Sequence, residues 1–184
     1  MSGELPERAS SARPGEPVWD AFVRLFHWGT VLGVVLNLWV LEEGETAHRY
    51  VGYALCAGVL LRVVWGFVGT RHARFASFWP TRQRLSLHWQ ALKARQPDAH
   101  AGHNPLGALA MLMLMALVLL LGLTGWMQGT DAFWGDEWLE ELHEGLATAL
   151  ELLALFHALA AVLVGWWQGS NLILPMISGR RRSR

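Results

Sequence analysis

Apolar positions gather into four long runs, about residues 18–41, 48–69, 106–128 and 138–168, and polar residues are confined mostly to the breaks between them. Each run meets the roughly twenty apolar residues needed to cross a bilayer as a helix. The last is longer than that, so its ends are expected to project from the membrane. Between the second and third runs lies a polar stretch, 70–103, in which WPTRQRLSLHWQALKARQ has the pattern of an amphipathic surface helix. A soluble bundle is the competing architecture. It would have to hide LGALAMLMLMALVLLLGLTGWM, residues 106–127, a helix apolar on every side, and a chain of 184 residues has little room for one. The pattern therefore predicts an all-α, integral membrane four-helix bundle with antiparallel up-down topology. Residues 1–16 are expected to form a disordered tail, 17–179 the four-helix domain and 180–184 a basic tail.

Composition agrees with a membrane chain: 53% of residues are hydrophobic, 16% are charged, and eleven are Trp. Trp39, Trp65, Trp79, Trp126, Trp134 and Trp138 fall toward span ends, as an interfacial aromatic belt would place them. The net charge is zero, but its distribution is uneven. Glu42, Glu43, Glu45, Asp131, Asp136, Glu137, Glu140 and Glu141 lie at the breaks after the first and third runs. Thirteen of the fifteen basic residues fall on the other side: Arg8, Arg13, Arg24, Arg71, Arg74, Arg82, Arg84, Lys93, Arg95, Arg180, Arg181, Arg182 and Arg184. By the positive-inside rule that side is the cytoplasm, with both termini there, and a bacterial inner membrane is the expected location. The polar, Pro- and Ser-rich start of the chain does not read as a secretory signal. One cysteine, Cys56, excludes an internal disulfide and a C-x-x-C-H haem attachment site, so any haem would be held non-covalently.

Ionisable side chains inside spans are costly and mark candidate sites. Here they are Arg24 and His27 in the first span, His48 and Arg62 in the second, and His143, Glu151 and His157 in the fourth. Fourteen residues separate His143 from His157, and fourteen separate His48 from Arg62. That spacing returns to nearly the same helix face about 21 Å along the axis. With the spans alternating in direction, two levels emerge: His48 with His143 at the outer one, His27 with His157 at the inner one. Two imidazoles from different helices at one level form the axial pair of a six-coordinate haem, and bundle cores suit such sites. Two b-type haems follow, and His27, His48, His143 and His157 are the expected iron ligands. Isolated intramembrane histidines are more often interhelical hydrogen-bonding contacts, but four on two matched levels are hard to explain that way. A zinc site needs its ligands converging on one ion, which levels about 21 Å apart forbid.

These same segments carry a family resemblance. VWDAFVRLFHW, HRYVGYALCAGVLLRVVWGFVG, GHNPLGAL and HEGLATALELLALFHALAAVL, followed by NLILPMISGRRR, resemble in that order the bacterial di-haem cytochrome b561 family, which includes the b-type subunits of nickel-iron hydrogenases. The resemblance spans residues 18–179. It implies ligands at His27, His48, His143 and His157, two haem b groups, and electron transfer between the quinone pool (ubiquinone or menaquinone) and a partner redox protein. The HNPLGA form is similar to the branch associated with periplasmic c-type cytochromes; a membrane redox enzyme subunit is the other partner implied. Whether the chain is itself an enzyme stays open. A superoxide:quinone oxidoreductase of the same fold would call for a basic pocket at the outer haem, yet that side is acidic with only Arg49. A non-redox membrane scaffold is the alternative from another class. Apart from lipid, no macromolecular partner other than a redox protein is expected, and no nucleic acid.

Further residues take secondary roles. Arg62 is expected to meet a haem propionate or another buried anion. Arg24 either does the same or snorkels to the interface. His103 is a candidate for a propionate or quinone contact. Asn104 and Pro105 fit the N-cap and first position of a helix. Glu151 falls between the two levels, as a core carboxyl or a proton relay. Gly52, Gly107, Gly122, Gly125, Gly145 and Gly165 would allow close approach of helices or a porphyrin. His72, His88 and His100 read as solvated loop residues.

Overall fold

A computed structural model describes residues 18–95 and 104–180. Every regular element in it is helical: α1 (Ala21–Trp39), α2 (Thr46–Val68), α3 (Phe75–Phe78), α4 (Arg82–Lys93), α5 (Pro105–Gln128), α6 (Glu137–Trp167) and α7 (Leu174–Ser178). Four of them, α1, α2, α5 and α6, are long and apolar enough to cross a membrane. The 31 residues of α6 extend about 46 Å, more than the roughly 30 Å of bilayer hydrocarbon.

Local chemistry sets the helix ends. Asp20 caps α1, its carboxylate accepting from the Val23 N–H at 2.8 Å. Asn104 caps α5 by accepting from Gly107 N–H at 2.6 Å, and Pro105 opens the helix, where its missing N–H is no loss. Thr81 caps α4 in the amphipathic segment. Glu137 and Glu140 sit in the first turn of α6, where negative charge complements the helix dipole. Gly179 ends α7 in the left-handed conformation, at φ +74°.

Packing runs from α1 to α2, from α2 to α5 and from α5 to α6. The central core joins Val59 of α2, Met115 and Val118 of α5 and Leu150 of α6, with Phe26 and Val34 of α1 against it. α5 looked featureless in sequence; it buries Pro105, Ala108, Met115 and Val118 along one stripe, and Thr124 about 120° around the helix from Val118. At Gly122 that stripe meets Cys56 of α2, where any side chain would collide with Sγ, and the thiol donates to the Val118 carbonyl at 3.5 Å. The backbone of α6 packs on α5 and does not approach α1 or α2 comparably. Its buried residues are Leu139, Leu150 and Gly165. Large apolar side chains such as Leu25, Leu60, Phe67, Leu152 and Phe156 face outward, as lipid-facing surface would.

One end of the bundle is tied by a polar node. Asp20 accepts from Trp65 Nε1 at 2.9 Å and from Thr70 Oγ1 at 2.6 Å, joining the start of α1 to the end of α2. Burial pushes this carboxyl up, but hydrogen bonds from Thr70, Val23 and Trp65 and the nearby Arg62 charge outweigh it and hold Asp20 below the usual aspartate value. The C-terminal segment closes over the same end. Gly179 O accepts from the N–H groups of Val18 and Trp19 at 2.8 and 3.2 Å, and Trp28 Nε1 donates to Met176 O at 3.1 Å. Both ends of the described chain therefore meet at one side of the bundle.

Trp65 stands near the end of α2, where the belt reading puts it, and its indole N–H is used on Asp20. One expectation needs correction. His88 is not solvated, being 4% exposed on α4, the helix that packs against α5. An amphipathic helix lying on a bundle buries one face, and His88 occupies it.

Candidate functional site

The site lies where α6 faces α1 and α2. His48 and His143 bring their ring centroids to 6.5 Å, with ring planes inclined at 57°. Imidazole nitrogens bond first-row metals at about 2 Å, so two such bonds plus two ring radii of about 1.1 Å span about 6.3 Å. The observed separation would leave room for one iron between the two rings. His27 and His157 also lie within electrostatic reach of each other. His48 and His143 thus form a ring pair joining α2 to α6, while His27 of α1 and His157 of α6 are near enough to act on one another electrostatically. Among the described residues, no three His, Cys, Asp or Glu side chains converge as a metal-binding cluster.

Hydrogen bonding at these rings is uneven. Nδ1 of His143 lies 2.7 Å from Thr124 Oγ1 of α5. Nδ1 of His27 and of His48 is buried without a protein partner. An unpaired buried polar atom costs about 1–3 kcal/mol, so these rings hold donor capacity that the protein alone does not use. Together with the 6.5 Å spacing, this is the donor set a bis-imidazole iron group fits. Glycine shapes one wall: a Cβ at Gly125 would stand 3.3 Å from Cε1 of His143. At Gly145 a Cβ would meet no protein atom within 4 Å.

Arg62 is fully buried. One guanidinium nitrogen donates to Ala73 O at 3.0 Å, the group lies 5.4 Å from the Phe75 ring centre, and Nη1 has no partner. Asp20 is near enough to share its charge, a carboxylate that the sequence reading had not connected to it. Arg24 donates from Nη1 to Ile177 O at 2.9 Å, while its buried Nε has no partner. This ties Arg24 to the C-terminal segment. His103 lies outside the described residues.

Sequence reasoning missed Thr124, Asn37 and Asp20. Asn37 of α1 donates to His48 O at 3.2 Å, holding the start of α2 beside α1, and its Oδ1 is buried without a partner. All three are polar residues in or at the edge of apolar runs, and extending the level argument from ionisable to uncharged polar residues would have singled out Thr124 and Asn37. Asp20, near the start of the first apolar run, carried an N-cap signal.

Comparison with known proteins gives the family. Residues 18–179 match the family model described as prokaryotic cytochrome b561. A protein of Azotobacter vinelandii named as a probable Ni/Fe-hydrogenase B-type cytochrome subunit is 28% identical over 68% of this chain and 64% of its own length. Proteins of the same name from Bradyrhizobium diazoefficiens and Rhodobacter capsulatus are 26% and 28% identical, over 94% and 89% of this chain and 88% and 80% of theirs. No solved structure matches the chain.

Proposed function

The chain belongs to the prokaryotic cytochrome b561 family, and from that premise we propose that it is a di-haem electron carrier of the bacterial inner membrane. The inner haem is held by His27 and His157, the outer one by His48 and His143. The observation that carries this reading is the His48–His143 pair, two rings with room for one iron between them. When bound, haem b supplies reversible one-electron chemistry. The protein's part is to hold each pair at its level, exclude water and set the electrostatics.

The four helices run antiparallel with both termini in the cytoplasm. The basic residues of the α2–α5 connection and the meeting of the two described ends at one side support that topology. The outer pair then lies at the acidic periplasmic side, where Glu43 is close enough to His143 to act on it. Arg62 and Arg24 stand at the level of the inner pair, where each has a buried nitrogen left for a propionate.

Electrons pass one at a time between the quinone pool and a partner redox enzyme. The hydrogenase-subunit names of the relatives support an enzyme as that partner rather than a free c-type cytochrome. A reduced-minus-oxidised spectrum of the purified chain, with haem quantified per polypeptide, tests the proposal. Two b-type haems per chain are expected, and a protein without a b-type band would be a scaffold whose histidines only join helices.

A further inference from the structure

We propose that Thr124 is a positioning residue for His143, fixing the tautomer and the donor strength of that ring. The proposal rests on the reading above, in which His143 is an outer iron ligand. In α5, Thr124 is the one hydroxyl-bearing residue, and it is 5% exposed. Its Oγ1 lies 3.0 Å from Leu120 O, 3.2 Å from Leu121 O and 2.7 Å from His143 Nδ1. A hydroxyl has one proton and two lone pairs, whereas a carbonyl oxygen only accepts. Each contact to Leu120 or Leu121 therefore uses the Thr124 proton, and the oxygen presents a lone pair to the imidazole. The bond at 2.7 Å then needs a proton on Nδ1 of His143. A neutral ring with Nδ1 protonated has Nε2 bare, and Nε2 is the nitrogen free to bind a metal.

The ring's position agrees with this assignment. Gly125, the next residue of α5, has no side chain to fill the space beside Cε1 and Nδ1, so the Nδ1–Cε1 edge lies against the helix. Helical threonine often bonds back to its own turn with no further consequence. Here that back-bond is what leaves the oxygen an acceptor toward α6. Donating Nδ1–H to an acceptor orients a ligating imidazole and raises its basicity, and loss of such a partner typically weakens a metal site 10- to 100-fold. A more basic ligand favours the ferric state, so this bond holds the outer haem at a lower potential than its own pair would otherwise give.

Thr124→Val keeps the shape and removes the hydroxyl, while Thr124→Ser restores it. Potentiometric titration with resolved haem spectra should show the His143-dependent haem of Thr124→Val moved upward and the other unmoved. The expected size is on the order of tenfold in its ferric-to-ferrous ratio, or about 59 mV. Thr124→Ser should return toward wild type. A haem at its wild-type potential in Thr124→Val would overturn the proposal while leaving di-haem binding intact. Nitrogen NMR of histidine-labelled protein before haem is added, with His143 assigned by its loss in His143→Ala, reads the tautomer directly. Protonated Nδ1 is expected, and protonated Nε2 would overturn the proposal even if haem binding failed.

Discussion

Gly125→Ala separates the ligand geometry of the outer site from the stability of the helix that supports it. A Cβ there stands 3.3 Å from His143 Cε1 and 3.8 Å from Nδ1. Carbon atoms settle at about 3.5–4.0 Å, so the ring must retreat by about 0.2–0.7 Å. Metal–ligand distances tolerate only about 0.2 Å. Retreat also lengthens the 2.7 Å bond to Thr124. Affinity for the outer haem should fall about 10- to 100-fold, the usual effect of disturbing a ligand's support. The same change replaces a glycine inside a helix, which favours the helix by up to about 1 kcal/mol, so the fold should be no less stable. Haem titration followed by reduced-minus-oxidised spectra should then show the inner haem bound as before and the outer one weakened. Gly145→Ala is the control, two residues from His143 with no protein atom in its way, and should keep both haems. If Gly125→Ala bound both haems with wild-type affinity and potential, the wall that α5 presents to His143 would have no part in the site.

Other perturbations address the ends of the bundle. Asp20→Asn keeps an N-cap oxygen for Val23 but turns an amide NH2 toward two donors, Trp65 Nε1–H and Thr70 O–H, and a buried donor left unpaired costs about 1–3 kcal/mol, so thermal unfolding should shift downward near neutral pH. Because the folded-state carboxyl titrates below its ordinary value, its stabilisation is present above about pH 4 and lost as pH falls through the lowered value. The gap between wild type and Asp20→Asn should therefore close under acid, and a gap independent of pH would contradict the ionised role. Arg62→Met leaves Ala73 O without its donor, a loss of about 1–3 kcal/mol, and should lower the potential of the inner haem alone by removing a positive charge. A change confined to the outer haem would remove Arg62 from the inner site. Gly66→Ala places a methyl group in the Phe75 ring and should destabilise by about 1–3 kcal/mol in thermal unfolding, whereas an unchanged midpoint would deny that packing.

The four spans were legible because lipid solvation forces apolar runs of fixed length. α5 was expected over 106–128 and occupies Pro105–Gln128, and α6 was expected over 138–168 and occupies Glu137–Trp167. The amphipathic stretch from Trp79 became the shorter α4, Arg82–Lys93, after Pro80 and the Thr81 cap. The pairing of His48 with His143 was readable from helix rise alone, since depth in a bundle is nearly a function of position along the chain. Contacts between helices were not. The buried stripe of α5 has no polar opposite face to reveal it, and Thr124 was passed over among leucines. Asp20 and Arg62 lie 42 positions apart in sequence, and only the folded bundle brings their charges together. His88 looked solvated because a basic loop hides the fact that its helix lies against α5.

The most direct test of the paired-level arrangement is the spectrum of four single variants, His27→Ala, His48→Ala, His143→Ala and His157→Ala, each titrated with haem. His48→Ala and His143→Ala should lose the same haem and keep the other, and His27→Ala and His157→Ala should show the converse. Loss in His48→Ala of the haem that depends on His157 would contradict it.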